Sequence, residues 1–159
     1  MDTKGTDYPE MNSFVLPIQV RWSDIDPNRH VRHSVYYDYG AYARVACFAQ
    51  LGLTTMKLEE MRIGPILLRE EAMFRKEIKF EDKPSIDTAF SRANADFSRW
   101  SIRHQLFKED GKLAAMLNMD GAWIDLNKRK LTSPNEFILG ILAQIPRTSD
   151  FSWTDRKTS

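Results

Sequence analysis

The chain has 159 residues, a length that fits one domain with a single hydrophobic core. Hydrophobic residues make up 42% of it and charged residues 28%, which excludes a disordered or fibrous chain. With 23 basic residues against 22 acidic ones the net charge is +1, so no global field draws it to nucleic acid or to an anionic membrane. The one cysteine, Cys47, permits no intramolecular disulfide and suits a reducing, cytoplasmic setting. No charge-free apolar run reaches the roughly 18 residues a membrane span needs.

Residues 1–12 are polar, lack the apolar stretch of a secretory signal, and read as a loose arm. A domain is expected over 13–146, followed by a polar tail over 147–159 in which Trp153 is the residue able to dock. Phe14 to Trp22 reads as the first strand, with Ile18, Val20 and Trp22 on one face and Gln19 and Arg21 on the other. A polar stretch follows, Ser23-Asp24-Ile25-Asp26-Pro27-Asn28-Arg29-His30-Val31-Arg32-His33-Ser34. Val35 to Leu51 then reads as a helix, with Ser34 as N-cap, Asp38 in the first turn and Gly52 as the stop. It is apolar nearly all round and rich in small residues, the pattern of a helix buried against a sheet.

Thr54 to Met61 reads as one or two helical turns, broken by Gly64-Pro65. Phe74, Ile78 and Phe80 are expected on one strand face, with Glu81 to Pro84 as a turn. Further strands are expected around Ile86–Phe90, Trp100–Leu106 and Ala115–Ile124, with a hairpin at Asp110-Gly111. His104 falls on the apolar face of its strand and reads as a packed, hydrogen-bonded histidine. Phe137 to Ile145 reads as a closing helix with Ser133 as N-cap and Pro134 at the first helical position. Strand, long buried helix and antiparallel meander together predict an α+β fold, one sheet wrapped around one central helix.

The polar stretch carries the chemistry. It places two carboxylates, an amide and two imidazoles just ahead of a buried helix. A helix N-terminus offers free backbone N–H groups and a positive dipole end, able to stabilise an anion without a metal. Asp26 before Pro27 fits an ordinary turn residue equally well, and Asn28 fits either a turn or an orienting group. His30 fits a hydrogen-bonded core histidine or a base, and Asp24 reads as structural. No histidine spacing suggests a metal site, and no G-x-S-x-G or glycine-rich phosphate loop is present.

Asp24-Ile25-Asp26-Pro27 followed by His30-Val31 and the helix from Val35 resembles the hotdog-fold thioesterases, in particular the 4-hydroxybenzoyl-CoA thioesterase-like branch. The spacing Asp26-x-Asn28-x-His30 is also similar to that of plant acyl-ACP thioesterases. The resemblance covers residues 14–145 by element order and departs from the pattern at Arg32-His33, where many members carry Asn-Asn. It implies a single hotdog domain that hydrolyses an acyl-CoA or acyl-ACP thioester. Asp26 would be nucleophile or general base, the backbone amide of His33 the oxyanion donor, and Asn28 and His30 supporting groups. Ser98, Arg99 and Ser101 fall in the region where relatives contact the CoA tail, with Arg29, Arg32 and Lys76 as further cations. The resemblance also implies homodimers or homotetramers with sites at the subunit interface, and no cofactor beyond the coenzyme A of the substrate. Two alternatives accompany it: a non-catalytic module that binds an acyl thioester, and a 3-hydroxyacyl-thioester dehydratase with His30 as base.

Overall fold

The computed structural model describes residues 14–154. The expected arm over 1–12 lies outside them, as do the last five residues of the expected tail. The elements run β1 (Val15–Pro17), α1 (Val35–Gln50), α2 (Thr55–Met61), β2 (Ile63–Phe74), β3 (Ser85–Asp87), β4 (Ala89–Asn94), β5 (Arg99–Phe107), β6 (Leu113–Asp125), β7 (Lys130–Thr132), α3 (Glu136–Leu142) and β8 (Arg147–Thr154). A single 3-10 turn, Trp22–Asp24, lies between β1 and α1. The strands form one sheet. β2 pairs with β6, β6 with β5, and β5 with both β3 and β4. β1 lies beside β3 and β7 beside the end of β6, all antiparallel; β8 joins β4 in parallel.

The central helix buries Val35, Tyr36, Tyr39, Gly40, Ala43, Cys47 and Phe48, a stripe at helical spacing. It packs against β2, β3 and β6. At Gly40 the backbone comes so close that an added Cβ would lie 2.9 Å from Leu117 Cδ1 of β6. The opposite face is not wrapped: Tyr42 is 57% and Val45 52% exposed. The expectation of a helix buried all round therefore holds for one face only, because the sheet of a single chain covers one side. The core divides in two along this helix. One cluster, with Val31, Val35, Tyr36, Tyr39, Ile78, Leu106 and Leu117, backs the polar stretch. The other joins Phe48, Phe90, Trp100, Trp123 and α3.

Several local expectations are corrected. The first strand stops at Pro17 rather than running to Trp22. Ile18 and Val20 stay buried, but the 3-10 turn swings Trp22 outward to 76% exposure. Gly64 and Pro65 do not break the chain; they open β2, an edge strand that tolerates a residue without an N–H. That strand ends at Phe74, so Phe74, Ile78 and Phe80 share no strand face and only Ile78 is buried. Ser34 holds the N-cap position of α1, but its hydroxyl caps no helix N–H and instead accepts from Arg32 Nε at 3.0 Å. α3 is capped by Asn135, whose Oδ1 accepts from the Ile138 N–H at 2.9 Å, not by Ser133. Residues 147–154 form β8 instead of a tail, with Trp153 edge-on to Phe97 and Phe151.

Candidate active site

The site is built by the loop between the 3-10 turn and α1. Ile25 and Val31 form an isolated antiparallel bridge, and the chain between them turns back on itself. The Asp26 N–H donates to the His30 carbonyl at 3.0 Å, and the Arg29 N–H donates to the Asp26 carbonyl at 2.9 Å. Pro27 suits the second turn position because its φ is preset. Arg29 closes the turn in the left-handed region, at φ 68°. Asp26 Oδ1 accepts from the Asn28 N–H at 2.9 Å, the local bond that makes Asp a turn former. The turn role and the catalytic role weighed for Asp26 are thus compatible, since Oδ2 takes no part in that bond.

The loop is pinned from both ends. The Val31 N–H donates to the Ile78 carbonyl at 2.8 Å, and the Val31 side chain is buried. Asp24 is buried beneath the loop, where Oδ2 accepts from the Arg21 N–H at 2.9 Å and from the Tyr39 hydroxyl at 2.8 Å. Burial raises the Asp24 carboxyl, but the Arg21 amide, the Tyr39 hydroxyl and the Arg21 guanidinium outweigh it and hold it below the ordinary carboxylate range. The Arg32 N–H donates to the Asp24 carbonyl at 2.8 Å, tying the entry of the loop to its exit.

Asp26, Asn28, His30 and His33 line one pocket of about 380 Å³ with Tyr36, Phe74, Arg75, Lys76 and Glu77. The Asp26 side chain is 17% exposed, with Oδ2 3.9 Å from His30 Nδ1. His30 Nε2 lies 3.7 Å from Glu77 Oε1, so the imidazole sits between two carboxylates. Among the described residues no hydrogen bond reaches the backbone N–H of His33 or Ser34, which stand at the start of α1. Tyr36, Phe74, Arg75 and Glu77 were not singled out from the sequence. Tyr36 is buried and stacks edge-on to Phe74 at 5.0 Å. Burial raises its hydroxyl; a hydrogen bond from Ile78 lowers it, the Glu77 and Asp26 charges raise it further, and it ends at about 12. The signal for Tyr36 was its place in the helix, three residues after His33 on the inward face; Glu77 gave none, because only the fold returns the end of β2 to the loop.

Ser98, Arg99 and Ser101 are not in this pocket. Arg99 pairs with Ala122 at one end of β5, whereas the site lies beside the other end, where Leu106 pairs with Ala115 and the Arg75 N–H donates to the Ala114 carbonyl. Seven residues of strand separate the two ends, roughly 23 Å. Ser101 Oγ instead donates to Asp120 Oδ1 at 2.6 Å, in a separate polar hollow that includes Arg103 and Asp150. Ser98 accepts from Asn94 Nδ2 at 2.8 Å.

His104 is fully buried away from the site. Its Nδ1 lies 2.8 Å from the Asp87 carbonyl, which can only accept, so the proton is on Nδ1 and Nε2 accepts from Arg44 Nη1 at 3.2 Å. Burial, then the Arg44 charge, lower the ring to about 3, against a weaker opposing effect of the Asp87 carbonyl. Cys47 is buried mid-helix, and desolvation pushes its thiol up to about 12, which makes it inert. Among the described residues no group of His, Cys, Asp and Glu is arranged to hold a metal ion, and no helix is long and apolar enough to cross a membrane.

No curated protein sequence matches the chain. Among solved structures, a Staphylococcus aureus protein in complex with CoA superposes with a TM-score of 0.75 at 19% identity, covering 97% of this chain and 98% of that one. A 1,4-dihydroxy-2-naphthoyl-CoA thioesterase from Synechocystis superposes at 0.74 with 15% identity, covering 82% and 96%. A DHNA-CoA thioesterase from Staphylococcus aureus does so at 0.69 with 19% identity, covering 76% and 79%. At these identities the likeness establishes the hotdog fold. The thioesterase-like superfamily model matches residues 20–142, from just before the 3-10 turn through α3, and the chain belongs to that superfamily.

Proposed function

We propose that this chain hydrolyses an acyl thioester carried on coenzyme A, with Asp26 as the catalytic carboxylate. One observation carries the reading: the Asp26 carboxylate opens into the pocket that His33 also lines, just ahead of α1, where the His33 and Ser34 amides have no partner among the described residues. A thioester demands little more. If the leaving thiol resembles a cysteine thiol its pKa is roughly 8–9, so it departs as thiolate without a strong general acid. Asp26 Oδ2 attacks the thioester carbonyl carbon, or removes a proton from the water that does. The negative charge that collects on the carbonyl oxygen is stabilised by the His33 N–H and the helix dipole. Collapse expels the thiolate. On the nucleophilic route it leaves an acyl–Asp26 anhydride, which water then cleaves. His30, held between Asp26 and Glu77, orients the carboxylate or the water, and Asn28 fixes the turn that presents Asp26. This chemistry calls for no metal and no cofactor beyond the CoA of the substrate.

The same reading takes the active form to be a homodimer or a dimer of dimers, in the cytoplasm. Among the described residues β2 pairs only with β6, which leaves its other edge open. Leu67 and Leu68 on that strand are each 48% exposed, and the open face of α1 presents Tyr42 and Val45. An apolar strand edge of this kind needs cover, and a second copy supplies it.

Thiol release from a panel of acyl-CoAs tests the function. Wild type is expected to turn over at least one member, and Asp26→Ala to lose about a hundredfold or more in kcat. Single turnover in 18O water bears on the route: label in the Asp26 side chain requires the anhydride, with water attacking the Asp26 carboxyl carbon and the acyl group leaving as carboxylate. Full activity in Asp26→Ala sinks the mechanism. Release of an enoyl thioester would identify a dehydratase, and tight binding without turnover a ligand-binding module.

A further inference from the structure

Trp22 is the largest side chain of the polar stretch's neighbourhood, and it stands in water. The cause is local. Asp24 is drawn into the protein by the Arg21 amide and the Tyr39 hydroxyl, and the 3-10 turn this creates throws Trp22 outward. There its indole meets Phe80 edge-on, ring centroids 5.7 Å apart, and Phe80 is itself 43% exposed. A lone exposed aromatic is ordinary, but a pair of them beside a catalytic pocket is not. Phe80 lies three residues beyond Glu77, which lines the pocket, so the chain places the two within roughly 11 Å.

Cations occupy the same side. Arg75 and Lys76 line the pocket and form no ion pair among the described residues. Lys79 is exposed next to Phe80. Of the acids nearby, Glu77 faces His30 and Asp82 is held by Lys108 at 3.2 Å, while Glu81 stands exposed beside Phe80. Arg75 and Lys76 are thus the cations at the mouth of the site with no carboxylate at ion-pair distance among the described residues. Exposed rings stack a heterocyclic base, and unpaired guanidinium and ammonium groups bind phosphate. Both kinds of group on one rim, outside a thioester site, match a purine nucleotide bearing phosphates.

We propose that the Trp22–Phe80 pair and the Arg75–Lys76 cations form a subsite for the nucleotide end of the substrate, the base on Trp22 and the phosphates on Arg75 and Lys76. The proposal rests on the thioester reading of the Asp26 pocket. It makes the substrate a CoA thioester rather than one borne on a carrier protein, whose phosphopantetheine arm has no nucleotide. It also places that end of the substrate within the same chain as Asp26, far from Ser98, Arg99 and Ser101.

Calorimetry with CoA and with 3′-phosphoadenosine 5′-phosphate, alongside tryptophan fluorescence, tests it on the full chain. Trp22→Ala is expected to weaken CoA about tenfold and to abolish the fluorescence quench. Trp153→Ala, at the other exposed tryptophan, should leave both in place. The double variant Arg75→Ala/Lys76→Ala should weaken CoA by a similar factor and flatten the dependence of affinity on salt. In turnover, Trp22→Ala should reduce the preference for acyl-CoA over the matching acyl-N-acetylcysteamine about tenfold. Trp22 is so exposed that its loss should leave urea unfolding unchanged, which keeps a folding defect from imitating the result. Unaltered CoA affinity in both variants overturns the proposal, as does equal preference for the acyl-CoA and acyl carrier protein forms in wild type. CoA binding that depends on Trp22 without any hydrolysis would leave the subsite standing and sink the thioesterase reading.

Discussion

Lowering the pH from 7 to 4.5 should destabilise this fold by about 2–3 kcal/mol through His104. The ring ordinarily titrates at 6.5 and in the fold is pushed down to about 3, first by complete burial and then by the Arg44 charge. No proton can be added at Nε2 without losing the bond from Arg44 Nη1, nor at Nδ1, whose N–H already points at Asp87 and Thr88. In the acid range the unfolded chain takes up this proton before the folded one. Stability therefore falls as the pH drops below 6.5 and levels off near 3. Each pH unit in the window costs about 1.4 kcal/mol once the unfolded ring is protonated, and two units below 6.5 give the stated loss. The carboxylates held below their ordinary range, Asp24 among them, contribute mainly below about pH 4, whereas Glu70, raised by burial beside Arg44, takes up its proton earlier in the fold than when unfolded and opposes the histidine, so the difference between wild type and a His104 variant isolates the ring. Urea unfolding of wild type and of His104→Gln at intervals across that range measures the effect. The variant should be less stable at pH 7 yet lack the histidine's share of the slope. A variant with the wild-type slope refutes the assignment of His104 as a neutral, buried acceptor.

Further outcomes follow from the geometry around the site. Asp24→Ala leaves the Tyr39 hydroxyl buried without its acceptor and frees the loop, and should cost about 3 kcal/mol by urea unfolding. In wild type the Asp24 contribution is complete above pH 4 and fades as the pH falls through its depressed pKa, the opposite end of the acid range from His104. Gly121→Ala would place a Cβ 2.5 Å from the Trp100 ring, so Trp100 must move; a loss of about 1–3 kcal/mol and a shifted tryptophan emission are expected. Arg29→Gly relieves a left-handed residue and should stabilise by about 0.5 kcal/mol, read as a higher Tm, after the glycine's own entropy cost is subtracted.

The elements most legible in the sequence were those whose signal is local and periodic. The span of α1 came within a residue, and the hairpin at Asp110-Gly111 is present, with Gly111 at φ 85° where a side chain would be strained. The strands around Trp100 and Ala115 followed from alternation, while the one expected over Ile86–Phe90 breaks at Thr88 into β3 and β4. Failures cluster where tertiary contacts override pattern. Trp22 alternated correctly with Ile18 and Val20, but the pull on Asp24 bends the chain before the strand can reach it. Pro65 signals a break, yet an edge strand has a side on which the missing N–H is not needed. The residues of β8 looked like a polar tail because only one side of that strand rests on protein.

By itself the sequence determined the order of elements, the buried helix and the short loop that puts Asp26, Asn28, His30 and His33 next to its N-terminus, because all of these lie within a few residues of one another and need only local geometry. What the tertiary structure alone decided is what meets that loop. The chain from Phe74 to Glu77 arrives from the end of β2 and closes the pocket, while Arg99 is carried to the far end of β5. Arg75 and Lys76 reach the pocket, and Phe80 meets Trp22, for the same reason. Such meetings depend on strand pairing across 40 or more residues, and no periodicity within either segment encodes where its partner lies.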